Sequence, residues 1–598
     1  MPSAIYFVLL LGGLILVHEL GHFLMAKAMG VKVLVFSIGF GPALLKWRRG
    51  DTEYRLAAVP LGGFVKMFGD EVGEEFPRQS AAGEAGAAAA ESRGETSGQQ
   101  ASGQEPAAGD AVGGDAAQKI YGVTAGRFVI VEADKAFNNK PVWRRTLIVL
   151  AGPAANLVLP FIVFFGMLLT HTELVPSYIG GVEEGGPAWQ AGIRPGDTVE
   201  SIDGERVDYW WQMERRVNEG AGRSLSMTVR RGDGTFTTGV VPEEVKTLRH
   251  GQIGLEEKSG RMMVTSQALD PVIWVRAGSP AAAAGLSTFD RVRTVDSKRV
   301  RFLSDALSAL ALPGEHVVEV MREEPYGFLG HAVMSLYTGR HTVRLSGPVA
   351  ESDVTAAELS IHEVDKESAA AALGLTPGCR LVSVDGRKFI LWTLMEGYFA
   401  ENVEKPIAVA WVEPDGTPRK GVLKLVPETI KGEFNEDRTV VRFGAFGHAT
   451  VGSPDLVENR ELFAYASHMA WEGARDAFRV TVAGLVGLIV GKVPLKEMGG
   501  PILIYSMASK TETEGWDYFF FVMAWLSINL GIINLLPIPI LDGGHLFFFA
   551  IEAVIRRPVP VKVRQGAAWV GLLMILGLMV LVFYNDIMRN WSAILNWF

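Results

Sequence analysis

The feature that most constrains this chain is an ionisable cluster, His18-Glu19-Leu20-Gly21-His22, set inside its first apolar run. That run begins near Ala4, passes through Ile5-Tyr6-Phe7-Val8-Leu9-Leu10-Leu11 and Leu14-Ile15-Leu16-Val17, and resumes at Phe23-Leu24-Met25-Ala26. Roughly twenty such residues cross a bilayer as a helix. At that depth an ionisable side chain costs ~2.5–3.5 kcal/mol on insertion scales, so three of them need something to offset the cost. Residues four apart share a helix face. His18 and His22 can therefore offer imidazoles to one metal ion, with Glu19 beside it to take a proton from water. The plain alternative, a chance His-Glu-x-x-His on an ordinary helix, leaves three buried polar groups uncompensated. Met1-Pro2-Ser3-Ala4 carries no basic side chain, and the motif occupies the stretch where a signal peptide would be cut. A retained span is expected.

Composition supports a chain that is part membrane and part aqueous. Hydrophobic residues make up 48% of its 598 positions, and mean hydropathy is +0.20. Further apolar runs cover about 146–170, 518–540 and 567–583. The expected fold class is a multi-span α-helical membrane protein with four transmembrane helices. A net charge of −9 gives no electrostatic support to nucleic acid as a partner. Cys379 is the single cysteine, which rules out an intramolecular disulfide and a cysteine metal cluster. Basic residues set the orientation. Lys27, Lys32, Lys46, Arg48, Arg49, Arg55 and Lys66 follow the first span, Arg144-Arg145 abut the second, and Arg556, Arg557, Lys562 and Arg564 link the last two. By the positive-inside rule these links are cytoplasmic, and the termini and the long middle section lie outside.

Between the first two spans, Leu61-Gly62-Gly63-Phe64-Val65-Lys66-Met67 reads as strand with a glycine pair for a tight turn or close approach. From the spacing alone, a simple surface hairpin is the reading to prefer. Residues 71 to about 118 are Ala, Gly, Ser, Gln and Glu, a composition that cannot bury enough apolar surface to order itself. In the second run, Ala151-Gly152-Pro153-Ala154-Ala155-Asn156 lets helices approach closely, and Asn156 at mid-membrane needs a polar partner. Residues 461–491 read as an amphipathic helix at the interface, with too short an apolar part to span.

The middle section holds a degenerate repeat. Its first copy runs Gly186-Pro187-Ala188, Ala191-Gly192-Ile193, Pro195-Gly196-Asp197 and Ile202-Asp203-Gly204. The second runs Gly278-Ser279-Pro280-Ala281, Ala284-Gly285-Leu286, Asp290-Arg291-Val292 and Val295-Asp296. The third runs Ser368-Ala369-Ala370, Leu373-Gly374-Leu375, Pro377-Gly378 and Val384-Asp385-Gly386, with Cys379 where aspartate would be expected. Each copy reads as a short helix, a glycine cap, a turn, a strand and an Asp-Gly type turn. The pattern resembles PDZ domains of bacterial proteases, which add a peptide as a strand to a sheet edge. Expected divisions are 1–70 (first span and membrane-associated β-loop), 71–127 (cytoplasmic low-complexity insertion) and 128–171 (second span). Then come 172–262, 263–350 and 351–445 (three periplasmic PDZ-like α+β domains), 446–515 (interfacial helix) and 516–598 (last two spans).

Two imidazoles do not complete a catalytic zinc site, which usually has a third protein ligand and an open position. Asn534-Leu535-Leu536-Pro537-Ile538-Pro539-Ile540-Leu541-Asp542-Gly543-Gly544-His545 breaks the third apolar run with two prolines. Such irregular backbone is tolerated in a membrane only where protein or water covers it. Asp542 is the candidate ligand, against a role as an interfacial helix cap, and His545 is its rival. His-Glu-x-x-His together with Asn-x-x-Pro-x-Pro-x-Leu-Asp-Gly resembles the site-2 protease family of intramembrane zinc proteases. The Ala151–Asn156 and Leu61–Met67 stretches and the PDZ-like repeats resemble its bacterial branch, which regulates extracytoplasmic-stress sigma factors.

The resemblance implies that His18, His22 and Asp542 ligate Zn2+ and that Glu19 is the general base. Asn534 would hold substrate or orient the site, and the loop at Gly62, Gly63 and Phe64 would pair with an unwound substrate helix. Pro537, Pro539, Gly543 and Asn156 would support the centre. Implied partners are the lipid bilayer, single-span membrane proteins such as anti-sigma factors after a first external cut, remnant signal peptides, and peptide ligands of the PDZ-like repeats. The implied location is a bacterial inner membrane with the active site toward the cytoplasm. A scaffold with a vestigial metal site would have lost the glutamate or a ligand, and all are present. A transporter would show an inverted repeat, and none is evident.

Overall fold

The computed structural model describes residues 3–69, 119–124, 127–249, 255–328, 331–403, 405–425, 427–431, 437–448, 451–452 and 455–590. The expected insertion lies almost wholly outside them; within its bounds Lys119–Thr124 forms a hairpin with Arg127–Glu132. Two compact units result, Met1–Thr170 with Glu461–Phe598, and His171–Arg460.

The first unit is helical. Among the described residues, four helices are long and apolar enough to cross a membrane: α1 (Ser3–Ala28), α2 (Val142–Leu168), α5 (Trp516–Leu535) and α7 (Val561–Arg589). Between them lie α3 (Leu462–Val490), α4 (Pro501–Ser509) and α6 (Asp542–Ile555). Small residues set the crossings. A Cβ on Gly21 of α1 would run into the Ala151 carbonyl of α2, and one on Gly531 of α5 would come 3.1 Å from the Pro153 carbonyl. Backbones that close need glycine or alanine at the contact. The stretch expected at the interface is one 29-residue helix, α3. It lies along α2 and α5, with Gly473 against Phe164 and the Thr481 hydroxyl donating to Asn529 at 2.7 Å. Near the end of α7, buried Asp586 accepts the amides of Gly500 at 3.0 Å and Ile502 at 2.9 Å, capping α4 from a distant helix.

Strands β1 (Val33–Arg49) and β2 (Thr52–Met67) each bend and pair twice. Segment 33–38 pairs with 63–67 on one side and, from residue 35, with 53–56 on the other, and 43–49 pairs with 52–57. The sheet order is therefore 43–49, 52–57, 33–38, 63–67, which places Gly63, Phe64 and Val65 on an edge. Phe40, Leu44, Leu45 and Trp47 around the β1 bend are exposed apolar side chains.

The second unit is built from three similar β-rich repeats, each with its own core. In each, a four-residue helix (Pro187–Gln190, Pro280–Ala283, Ala369–Ala372) precedes a left-handed glycine: Gly192, Gly285 and Gly374. A strand follows and ends in a turn at Asp203, Asp296 or Asp385, all at φ near +50°. A second helix (Trp210–Glu219, Leu303–Leu310, Trp392–Glu401) closes each core. The repeats overrun the expected borders because each core is closed by a late strand: Val264–Thr265 pairs with Gly181–Val182, and Val354–Ala356 with Ile273–Val275.

Candidate metal centre

One turn of α1 separates His18 from His22, and both rings are buried, with their Nε2 atoms 3.2 Å apart. Asp542 Oδ2 completes a triangle, 3.1 Å from His18 Nε2 and 3.5 Å from His22 Nε2. Ligands about 2.0–2.1 Å from a tetrahedral zinc ion stand roughly 3.3 Å from one another, so the three atoms fit three corners of such a site. Among the described residues this is the one group of three such side chains converging as metal ligands do. The rival ligand His545 lines a separate small cavity with Phe548, Phe549, Glu552 and Arg564. It lies three residues along α6, and its ring is not among the side chains that converge on the triangle.

Asp542 reaches this position because the chain breaks between α5 and α6. Helix α5 stops at Leu535, and Pro537 and Pro539 prevent its continuation. Ile540 takes φ +108°, a strained value for a β-branched residue. The chain then re-enters helix at Asp542, the first residue of α6, where the positive end of the helix favours a carboxylate. Gly543 and Gly544 are required there. A Cβ on the first would meet the Leu535 and Leu536 backbone, and one on the second would lie 2.5 Å from the Ile538 carbonyl.

Hydrogen bonds behind the triangle orient the rings. His22 Nδ1 lies 2.9 Å from the Ile148 carbonyl of α2, which leaves Nε2 turned to the triangle. His18 Nδ1 lies 3.2 Å from the side-chain amide of fully buried Asn156, so the asparagine has the polar partner the sequence demanded. Ser527 of α5 donates to the Asn156 main-chain carbonyl at 2.7 Å. Gly152 sits against the His22 ring so closely that a Cβ would overlap it. Arg145 of α2, counted above only toward orientation, makes a part-buried two-point ion pair with Glu552 of α6 at 2.5 and 3.2 Å. Ser527 and Ile148 leave no mark in the sequence. Glu552 does, as an acid in an apolar helix that needs a partner.

Glu19 is half-buried, and the β2 edge covers it. A Cβ on Gly63 would lie 3.1 Å from Glu19 Cγ and 2.9 Å from the Ser37 carbonyl, and the Val65 backbone is within hydrogen-bonding range of the Glu19 carboxylate. At Gly62, φ is +151° and a Cβ would overlap the Phe40 ring. Phe40 in turn stacks on Phe64 with centroids 6.4 Å apart. Asn534 is half-buried, second from the end of α5, and its side chain has no hydrogen-bonded partner among the described residues.

Residues 6–578 match the model of peptidase family M50. The chain is 28% identical over 595 residues to the regulator of sigma-E protease RseP of Salmonella typhimurium (strain 14028s / SGSC 2262), with 98% of each chain covered. It is 27% identical over 591 residues to the protein of the same name in Escherichia coli (strain K12), again covering 98% of each. Identity to protease RseP of Yersinia pestis is 28% over 590 residues, with the same coverage.

Proposed function

We infer what this chain does from the family it belongs to, peptidase family M50, which makes it a zinc metalloprotease of the site-2 type. In our reading it is an intramembrane endopeptidase of a bacterial inner membrane, with His18, His22 and Asp542 as the zinc ligands and Glu19 as general base. The observation that carries the reading is the meeting of three ligand atoms, all within 4.8 Å, from residues about 520 positions apart, with Glu19 beside them.

Zinc held there would lower the pKa of a water to about 7 and polarise the scissile carbonyl. Glu19 takes the proton of the attacking water and returns it to the leaving amine, a contribution of roughly 10²–10⁴-fold. An intact substrate helix offers no free backbone edge, so it must unwind to be cut. Segment 63–67, an edge of its sheet, can take up the unwound substrate as an added strand, and Gly63 lets that strand lie against Glu19. Phe64 and Gly62 shape the approach, and Asn534 contacts the substrate.

The substrates in this reading are single-span membrane proteins. The relatives named regulators of sigma-E protease favour anti-sigma factors already cut outside, and remnant signal peptides share that topology. The three repeats act as periplasmic PDZ-like domains that filter substrates by size or sense them, with the basic links on the cytoplasmic side. The test is Glu19→Gln in membranes with a model single-span substrate. Cleavage should fall at least about 10²-fold with zinc retained. Cleavage at the wild-type rate would overturn the mechanism.

A further inference from the structure

We propose that Asn156 is a positioning residue for the metal centre: its side-chain oxygen accepts the Nδ1–H of His18 and so holds the His18 Nε2 lone pair on the ion. The proposal rests on the ligand set proposed above.

An imidazole that binds a metal through Nε2 carries its proton on Nδ1, and that proton needs an acceptor. His22 has one in the Ile148 carbonyl, 2.9 Å away. The group facing His18 Nδ1 at 3.2 Å is the Asn156 amide, whose nitrogen could only donate. With the nitrogen toward the ring, buried Oδ1 has no partner among the described residues, so no third group dictates which end of the amide faces His18. The two ends are alike in size and shape, and the state of Nδ1 decides between them. A metal on Nε2 puts the proton on Nδ1 and turns Oδ1 toward it.

The placement of Asn156 is rigid. The residue has no exposed surface, and its own carbonyl is held by the Ser527 hydroxyl at 2.7 Å, which fixes this turn of α2 against α5. Helix α2 thus supplies the acceptors for both histidines from positions 148 and 156, two turns apart along the helix. One is a main-chain carbonyl that any residue would provide. The other is a side chain and can be removed.

The experiment compares zinc affinity, by competition with a chromophoric chelator, for the full chain in detergent as wild type, Asn156→Leu, Asn156→Asp and His18→Ala. Asn156→Leu removes the acceptor and should weaken zinc binding about 10–100-fold. Asn156→Asp keeps an acceptor oxygen and should retain wild-type affinity, a rescue that a purely structural role would not produce. Nitrogen NMR of the histidine-labelled, zinc-loaded wild type should show His18 protonated at Nδ1. Asn156→Leu with wild-type affinity, Asn156→Asp as weak as Asn156→Leu, or His18 coordinating through Nδ1 would each overturn the proposal. His18→Ala is the separate control. If it keeps its zinc, the ligand set itself is wrong; if it loses zinc while Asn156→Leu does not, only the role of Asn156 fails.

Discussion

At the scale of single residues, the position of His22 depends on an atom that is missing, the Cβ of residue 152. Alanine is a better helix former than glycine by roughly 1 kcal/mol, so on helix propensity alone Gly152→Ala should stabilise α2. Here the added carbon would overlap the His22 imidazole, and the neighbouring backbone cannot yield. The ring must swing off the triangle it forms with His18 and Asp542. Gly152→Ala should therefore leave a folded protein that purifies with far less zinc, as metal analysis would show; full zinc occupancy would mean the ring has room to adjust. The triangle was only partly legible in the sequence. His18, Glu19 and His22 stand out because a membrane span makes each of them costly. Asp542 could be picked as a carboxylate at a broken helix, with His545 three residues on as its rival, but a contact across about 520 residues is not written in any spacing, and it is Asp542 that meets the two histidines. Ile148 acts through its carbonyl, which every residue has, and no sequence signal could single it out.

The elements that carry the proposed ligands must also be held in register. Asp542 begins α6, and α6 is tied to α2 by the largely buried Arg145 and the part-buried Glu552, with the guanidinium also over Phe549 at 5.0 Å. Removing one partner of such a pair strands a charge and costs ~3–5 kcal/mol, whereas replacing both with apolar residues is often nearly neutral. Glu552→Leu should lower stability by about that amount, and Arg145→Leu combined with Glu552→Leu should recover most of it; a double variant as unstable as the sum of the two singles would refute the pairing. The repeats show the same rule. Buried Asp197 and Asp290 accept the guanidinium forks of Arg231 and Arg322. In the third repeat Cys379 replaces the aspartate, and by strand register Glu413 takes the arginine's place, so both partners are exchanged and no charge is stranded. The departure at Cys379 was visible in the sequence. Its compensation was not, because register had to be known before position 413 could be matched. The helix Leu462–Val490 was legible as an element in the amphipathic-then-apolar stretch 461–491; its packing against α2 and α5 was not, because no spacing names a neighbour.

The chain as a whole divides at His171 and Arg460, and each repeat core lies wholly within that span. Strand Val457–Glu458 pairs with Glu173–Leu174, and the Tyr209 hydroxyl donates to the Glu458 carbonyl at 2.9 Å and accepts the Arg460 amide at 2.8 Å. The two ends of the unit are thus joined to each other, so residues 171–460 expressed alone should fold. The repeats could be counted from sequence because their turns demand particular residues, whereas these end-to-end contacts draw on ordinary ones. A titration inside the second repeat gives the isolated unit a recognisable pH dependence. His316 is 4% exposed; its Nε2 meets the Leu312 carbonyl at 2.9 Å and its Nδ1 meets Asp296 at 2.8 Å. Those two acceptors, the carbonyl first, hold the imidazole above its ordinary pKa against the opposing effect of burial. A group whose pKa rises on folding binds its proton more tightly in the native state. Its contribution is therefore complete below the unfolded value of about 6.5 and is lost as pH climbs through the higher native value. The melting temperature of the isolated unit should accordingly be lower at pH 8.5 than at pH 6. His316→Gln, which keeps a polar side chain of similar reach but does not titrate, should lose most of that difference. An unchanged pH slope in His316→Gln would show that another group sets the dependence.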